Sequence, residues 1–239
     1  MPNDGLQFAI NEIALAEKLN RKLMFVGRGS QISNMITTYG GQRAFCTETG
    51  SGFTINSIYE RDSTNTTWNL KKSIASVGVS AELNSTPITD TSTATSAGTR
   101  RFVAYTFPTT YKYNIITGIE WKNGNAPMSG DIIAGVDLID AETPTLNASV
   151  LVALSSVVAQ SGPDAVQRNS RIVSDIIRGG TICGLWFSTS VASNQRFVAG
   201  TSGFAKTIAY TTSPLSQDVS AFTTGGNPFY IKVYYVGYN

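Results

Sequence analysis

Five acidic side chains are the first candidates for chemistry in this sequence. Two carboxyl groups at a fixed separation are sufficient to hydrolyse a glycosidic bond, and carboxylate oxygens are also the ligands that Ca²⁺ prefers. The spacing of these acids fits no calcium-binding loop, and their low density is typical of solvated strand ends and loops. We therefore predict no catalytic residue and no metal site, with carboxylate-dependent glycan hydrolysis as the alternative. The five are Glu120, Asp131, Asp137, Asp140 and Glu142.

The chain of 239 residues contains no histidine. Histidine is the usual general base near neutral pH and a common metal ligand, so its absence argues against catalytic triads and most zinc sites. The motifs GxxxxGK[ST], GxGxxG, GxSxG and HExxH are absent too, and Gly27-Arg28-Gly29 lacks the third glycine at Ile32. We therefore expect no cofactor and a protein that is not an enzyme.

Aromatic residues form a second candidate site. Tyr111, Tyr113 and Trp121 could present flat faces on which a sugar ring stacks while polar loops supply hydrogen bonds. Packing in the core or between subunits is the commoner arrangement for such residues, and spacing does not separate the two. These three are nevertheless the positions at which we expect a glycan to bind. Trp186, inside an apolar run, favours the core.

The charge distribution argues against nucleic acid as a partner. The net charge is +2, and the basic residues are spread along the chain, whereas nucleic-acid binding needs a concentrated basic surface. No apolar run approaches the roughly 18–20 residues that span a bilayer, and the N-terminus lacks the pattern of a signal peptide. We expect no membrane insertion and synthesis in a cytoplasm.

The two cysteines, Cys46 and Cys183, lie far apart without metal-binding spacing. They predict two buried free thiols, and a single disulfide is the alternative.

Residues 1–28 are predicted to hold a helix, from Leu6 to Leu23. Asp4 is placed to cap it, and Gly27 and Gly29 end it. Apolar residues on two sides exceed what one docking face requires, so we expect contacts with copies of the chain or with a neighbouring protein. Packing on the core of its own domain is the alternative. The residues assigned to this interface are Leu6, Ile10, Ile13, Leu15 and Leu19.

The rest of the chain shows the short runs and turns of a β protein. Residues 29–83 predict a small β-hairpin module with strands at 43–47, 55–61 and 67–71. Residues 84–99, rich in Ser and Thr, predict a linker or long loop, and an exposed edge strand is the alternative. Residues 100–239 predict an antiparallel, jelly-roll-like β-sandwich. Its eight strands are expected at 102–107, 111–121, 131–139, 150–159, 165–177, 181–189, 204–211 and 229–238.

One stretch of the hairpin module resembles a known class of proteins. The runs Gly41-Gln-Arg-Ala-Phe-Cys46-Thr-Glu-Thr-Gly50, Ile58-Tyr-Glu-Arg-Asp62 and Thr67-Trp-Asn-Leu70 resemble a β-hairpin module of tailed-phage fibres and other virion appendage proteins. There, a threonine-rich turn leads to a Tyr-x-Arg strand and then to a Trp followed by an apolar residue. The resemblance covers residues 41–72, and the segment 51–56 departs from the shortest forms. It implies an attachment module and a trimer.

These observations predict a structural protein of the virion surface: a fibre, decoration or receptor-binding component. The N-terminal segment would contact other virion proteins, and the sandwich would project outward as part of a homotrimer and bind host-surface glycans through its loops. A tailspike-like glycan hydrolase and a minor capsid protein with a single jelly roll are the alternatives.

Overall fold

The chain is mainly β in the computed structural model, which describes residues 24–35, 39–74, 78–81, 88–95, 99–123, 130–139, 148–159, 161–162, 165–191, 193–198, 204–207, 217–218, 223–224 and 230–239. One short helix, α1, spans Gly29–Ser33. The strands are β1 Met24–Arg28, β2 Arg43–Glu48, β3 Ser57–Arg61, β4 Trp68–Ser73, β5 Gly78–Ala81, β6 Ile88–Thr95, β7 Thr99–Thr106, β8 Tyr113–Lys122, β9 Asp131–Ile139, β10 Ala148–Ser155, β11 Val158–Ala159, β12 Val166–Asn169, β13 Ile172–Ser174, β14 Ile176–Arg178, β15 Ile182–Thr189, β16 Ser193–Val198, β17 Phe204–Thr207, β18 Gln217–Asp218, β19 Thr223–Thr224 and β20 Ile231–Tyr238. Among the described residues, no helix has the length and apolarity needed to cross a bilayer.

Two sheets make up the sandwich. The large sheet has the order β19-β17-β7-β15-β9-β10-β13-β1-β2-β3-β4, with β11 added to β9 and β18 to β10. The small sheet has the order β12-β8-β20-β5, with β14 added to β8. The predicted mainly β, sandwich-like fold is thus confirmed. One pair departs from the expected antiparallel pattern, because β1 and β2 run parallel.

The core lies between the two sheets, and the alternation of strand residues explains it. In β20, Ile231 and Val233 are fully buried in this core, whereas Lys232 and Tyr234 face outward and are half-buried. Such period-two burial is what a strand with one face on a core produces. From the large sheet, β9 and β15 contribute inward residues such as Val136 and Leu185.

The central strands of the large sheet are buried on both faces. Ile133, Leu154 and Trp186 point away from the inter-sheet core and are nevertheless almost inaccessible to solvent. Trp186 lies opposite Gly135 across the β9–β15 pair. A Cβ atom at Gly135 would come within 2.3 Å of the Trp186 ring, so this position has room for the indole only because the residue is glycine.

The end of the predicted attachment segment is a strand and not part of a helix. Met24–Arg28 forms β1, which pairs antiparallel with β13 and parallel with β2. Met24, Phe25 and Val26 are all buried, as expected for an apolar run in the middle of a sheet. The predicted interface residues Leu6, Ile10, Ile13, Leu15 and Leu19 lie outside the described residues. The division into domains stays a prediction, although the large sheet is continuous from the hairpin module into the sandwich.

Two further segments differ from their predicted structure. Within the expected linker at 84–99, residues 88–95 form β6, which pairs with β16 in a separate ribbon. Alternating threonines favour this extended backbone, so these residues form a strand, the alternative to the linker or loop. The single strand expected at 165–177 is three strands, because β12 and β14 pair with β8 in the small sheet while β13 pairs with β1 and β10.

The hairpin module is a three-stranded meander, β2–β3–β4, with its own apolar cluster. The strands predicted at 43–47, 55–61 and 67–71 agree with β2, β3 and β4 within a few residues. Helix α1 packs against β1 and β2 on the side away from the inter-sheet core. The cluster contains Phe25, Ile32, Met35, Ala44, Cys46, Phe53 and Tyr59, with Tyr39 and Trp68 packed against it.

Gly135→Ala should destabilise the protein. Trp186 is fully buried and cannot move away from the added methyl group, so we expect the free energy of unfolding to fall by about 1–3 kcal/mol in urea denaturation. Gly162→Ala is the matched control, since a Cβ there meets no atom within 4 Å. Equal effects of the two substitutions would contradict this account of the position.

The β3–β4 turn should weaken in acid. Asp62 accepts hydrogen bonds from the Thr66 N–H (2.8 Å), the Thr66 hydroxyl (2.9 Å) and the Thr67 N–H (3.1 Å). These bonds, the Thr66 N–H first, lower the pKa of Asp62 to about 2. A depressed pKa in the folded state stabilises the fold above the unfolded value of about 3.9 and ceases to do so as the pH falls through 2. Melting temperatures of wild type and Asp62→Asn should therefore differ at neutral pH and converge below pH 2. A difference independent of pH would contradict the assignment.

Candidate functional site

An arginine-lined cleft opens where the chain passes from one sheet to the other. Strand β12 ends in the small sheet at Asn169, and β13 begins in the large sheet at Ile172, so Ser170 and Arg171 cross between them. The cleft beside this crossing has a volume of about 470 Å³. Its described lining is Gly27, Arg28, Gln31, Phe45, Thr47, Asn56, Thr117, Arg168, Ser170, Arg171 and Val236.

Hydrogen bonds of Asn169 fix the crossing. Its buried side-chain amide donates to the backbone oxygen (2.9 Å) and the hydroxyl (2.8 Å) of Ser156. Its side-chain oxygen accepts from the Arg171 N–H at 2.9 Å, and the Ser156 N–H donates to the Arg171 carbonyl at 2.9 Å. The backbone that carries Arg171 into the cleft is therefore anchored on both sides.

Arg168 is held in place by a layer of side chains on the outer face of the small sheet. Its guanidinium carbon lies 3.6 Å from the centroid of the Tyr234 ring, a cation–π arrangement. Gly118 makes room for it, because a Cβ at that position would lie 3.2 Å from the Arg168 Nε. The Tyr234 hydroxyl in turn donates to Glu120 at 2.7 Å.

Arg28 is placed at the opposite side of the cleft by the end of β1. Its Nε lies 3.3 Å from a carboxylate oxygen of Glu48, and both side chains are about two-thirds exposed. The Arg28 N–H donates to the side-chain oxygen of Gln31 at 2.9 Å, which positions that amide at the cleft. An exposed ion pair of this kind contributes little to stability, so Arg28 can exchange Glu48 for another anion at small cost.

Glu120, one of the predicted acids, is engaged with the outward residues of β20. Its carboxylate accepts hydrogen bonds from the Tyr234 hydroxyl and, at 2.8 Å, from the Tyr230 hydroxyl. The Lys232 Nζ lies 4.0 Å from one of its carboxylate oxygens. Burial, reinforced by the neighbouring Glu120, raises the pKa of Tyr230 to about 12. The phenol therefore stays a hydrogen-bond donor throughout the physiological pH range.

Glu120 and Asp137, two of the predicted acids, do not form a pair. Glu120 lies on the outer face of the small sheet, since its neighbours Ile119 and Trp121 point into the core. Asp137 lies on the outer face of the large sheet, buried, where it accepts the Trp186 indole N–H at 2.8 Å. Stacked sheets are about 10 Å apart, so the whole core separates the two carboxyl groups, beyond the roughly 5–9.5 Å that glycosidases use.

Of the three remaining acids, the structure describes only Asp131. Asp131 is exposed at the start of β9, and Asp140 and Glu142 lie outside the described residues. Within the described part of the chain, no cluster of three or more His, Cys, Asp or Glu is placed to hold a metal ion.

The predicted aromatic platform is not assembled from its three members. Trp121 is fully buried in the inter-sheet core, and its indole N–H donates to Gln167 at 3.1 Å, so it offers no face to a sugar. Its inward register on β8 explains this burial. Tyr113 begins β8 and lies about 26 Å from Trp121 at 3.3 Å per residue, Tyr111 precedes that strand, and both tyrosines are half-buried. Glycan stacking at these two tyrosines stays a prediction.

Sequence reasoning did not find the arginine cleft. Arg168 and Arg171 are close in the sequence, but Arg28 joins them only because β1 pairs with β13. The sequence around the crossing offered only one indication of such a cleft, two arginines three residues apart. Nothing in that spacing indicates a change of sheet between them.

Both cysteines are buried and free, which confirms the predicted thiols. Burial, with a contribution from the nearby Asp137, raises the pKa of the Cys183 thiol to about 12. Burial also raises the pKa of Cys46, whose sulfur lies 3.1 Å from the Glu48 carbonyl as a hydrogen-bond donor.

Neither thiol should react while the protein is folded. The thiolate is the nucleophile, and at pH 8 very little of it forms when burial raises the pKa in this way. We expect no colour with Ellman's reagent in native buffer and both thiols to react after denaturation in guanidinium chloride. Rapid reaction of either cysteine in the native protein would contradict its buried placement.

Comparison with protein-family models and with curated proteins found no match to the sequence. Function therefore has to be inferred from the side chains themselves. The arginine-lined cleft, the separated carboxylates and the aromatic cluster of the meander are the informative features.

Proposed function

We propose that the chain is a structural protein of a virion surface: a fibre, decoration or receptor-binding component that acts as a homotrimer. In this proposal the N-terminal segment and the hairpin module attach it to other virion proteins. The sandwich projects outward and binds host glycans. The protein has no catalytic role of its own.

The arrangement of the meander carries the proposal. The residues on which the resemblance to virion appendage modules rests, Tyr59-x-Arg61 and Trp68, meet in one cluster. The Arg61 guanidinium carbon lies 4.9 Å from the Trp68 ring centroid. Phe53 contacts Tyr59 and Trp68 edge-on, with centroids 4.7 and 6.3 Å apart. Residues that are separate in the sequence pattern thus form one folded unit, as an attachment module requires.

The position of this unit suits attachment. Strand β4 is the terminal strand of the large sheet, and its side chains are largely exposed, including Leu70 at 55%. Exposed edge strands are common sites of association with another chain, and lysines on them limit indiscriminate pairing. Lys71 and Lys72 provide that protection here.

The carboxylates favour binding over hydrolysis. Glu120 and Asp137 each act as hydrogen-bond acceptors for aromatic side chains, on opposite outer faces of the sandwich. Neither arrangement leaves two acids flanking a common site. This supports a non-enzymatic surface protein over the tailspike-like alternative.

Location on a particle is the decisive measurement. An antibody raised against the purified chain should label intact virions in immunogold electron microscopy, and light scattering after size-exclusion chromatography should give the mass of a trimer. Absence of the protein from purified particles, or a clean monomer at micromolar concentration, would contradict the proposal.

A hydrolase would give a different result from a binding protein. Incubation with capsular or cell-surface polysaccharides should release no reducing ends. Release that disappears in Glu120→Gln, in a variant with an unchanged melting temperature, would overturn the non-enzymatic assignment.

A further inference from the structure

The charge of the cleft indicates an anionic ligand. Three of the described lining residues are arginines, Arg28, Arg168 and Arg171, and none of them is Asp or Glu. A guanidinium stays charged at every physiological pH, and its planar fork matches a carboxylate or a sulfate through two parallel hydrogen bonds. Three arginines in the lining of one cleft of about 470 Å³, one of them paired with Glu48 at its exposed end, favour an anion of small-molecule size.

Two of the arginines are already positioned before a ligand arrives. Arg168 is stacked on Tyr234, whose hydroxyl is held by Glu120. Arg171 follows the backbone anchored by Asn169. Side chains and backbone fixed in this way lose less conformational freedom on binding, so more of the interaction appears as affinity.

The neutral part of the lining matches a polyhydroxylated ligand. Hydroxyl and amide groups both donate and accept hydrogen bonds, as sugar hydroxyl groups require. Val236, which is almost buried, is the apolar lining residue with a small exposed surface. The neutral polar residues are Gln31, Thr47, Asn56, Thr117 and Ser170.

The lining is a poor match for a nucleotide. Its only aromatic residue among those described, Phe45, is fully buried, so no ring face is offered to a base. The described lining residues also include none of the carboxylates that usually share the Mg²⁺ of a nucleoside polyphosphate.

We propose that this cleft binds an acidic saccharide, with the carboxylate or sulfate of the sugar held by Arg168 and Arg171 and its hydroxyl groups by the neutral polar residues. Arg28 closes the site by exchanging Glu48 for the ligand. The inference rests on the proposed function, because it names the class of glycan that the surface protein recognises and where it binds.

Calorimetric titration of the full chain with matched pairs of ligands tests the site. The pairs are sialyllactose with lactose, and methyl glucuronide with methyl glucoside, and acetate serves as the anion alone. At least one acidic ligand should bind with saturation, and its neutral counterpart at least about tenfold more weakly, since a hydrogen bond to a charged group is lost. No acidic ligand binding, equal binding within each pair, or acetate binding as tightly as the acidic sugar would overturn the proposal.

Substitutions of the cleft arginines test whether the acidic sugar binds in the cleft. Arg171→Gln and Arg168→Gln should each weaken the acidic sugar by at least about tenfold. Arg178→Gln, an exposed residue of β14 outside the cleft, changes the net charge equally and should leave affinity unchanged. If Arg168→Gln unfolds, Arg168→Lys keeps the charge but loses the planar fork, and it should still weaken binding. Equal losses in Arg178→Gln and the cleft variants would overturn the site.

The two proposals fail separately. Virions that carry the protein while the pure chain binds no acidic sugar would overturn the cleft assignment alone. A chain that binds acidic sugars through these arginines yet is absent from virions would overturn the virion role alone.

Discussion

The hydrogen bonds of β1 are the constraint on which the rest of the structure depends. This strand pairs antiparallel with β13 on one side and parallel with β2 on the other, so it joins the meander to the sandwich in one sheet. The same pairing brings Gly27 and Arg28 beside the crossing from β12 to β13. The five residues of β1 therefore both make the large sheet continuous and bring Arg28 to the arginine-lined cleft.

The sandwich also determines which charges can act together. Residues that alternate along a strand face opposite sides, so the core separates Glu120 from Asp137 however close they are in the sequence. The crossing has the reverse effect, because it brings cationic side chains from both sheets to one edge. Binding of an anion is favoured there, whereas two-carboxylate catalysis is not favoured by the acids that the structure describes.

Sequence patterns predicted the features that depend on residues close together in the chain. The alternation of β20 and the turn residues around β2–β4 gave strands within a few residues of those observed, and the isolated cysteines gave buried thiols. The division of 165–177 into three strands could not be found in this way, because it depends on Asn169 bonding to the distant Ser156. For Trp121, sequence spacing does not separate a glycan-stacking position from packing in the core, and its full burial is visible only in the structure. The cleft itself needs the pairing of β1 with β13, which no window of sequence contains.

The position of β1 has a consequence for how the protein folds as it is synthesised. Its partner β13 consists of residues 172–174 and is translated long after β1, so β1 keeps one edge unpaired while more than half of the chain emerges. Closing so long a loop is slow, and an apolar strand with an unpaired edge invites association with other chains in the meantime. The meander can form early, since β2, β3 and β4 are neighbours in sequence, and β2 can then pair with β1 as it does in the folded protein. Pairing with β2 would cover one edge of β1 during that interval, and only the edge that later pairs with β13 would stay exposed.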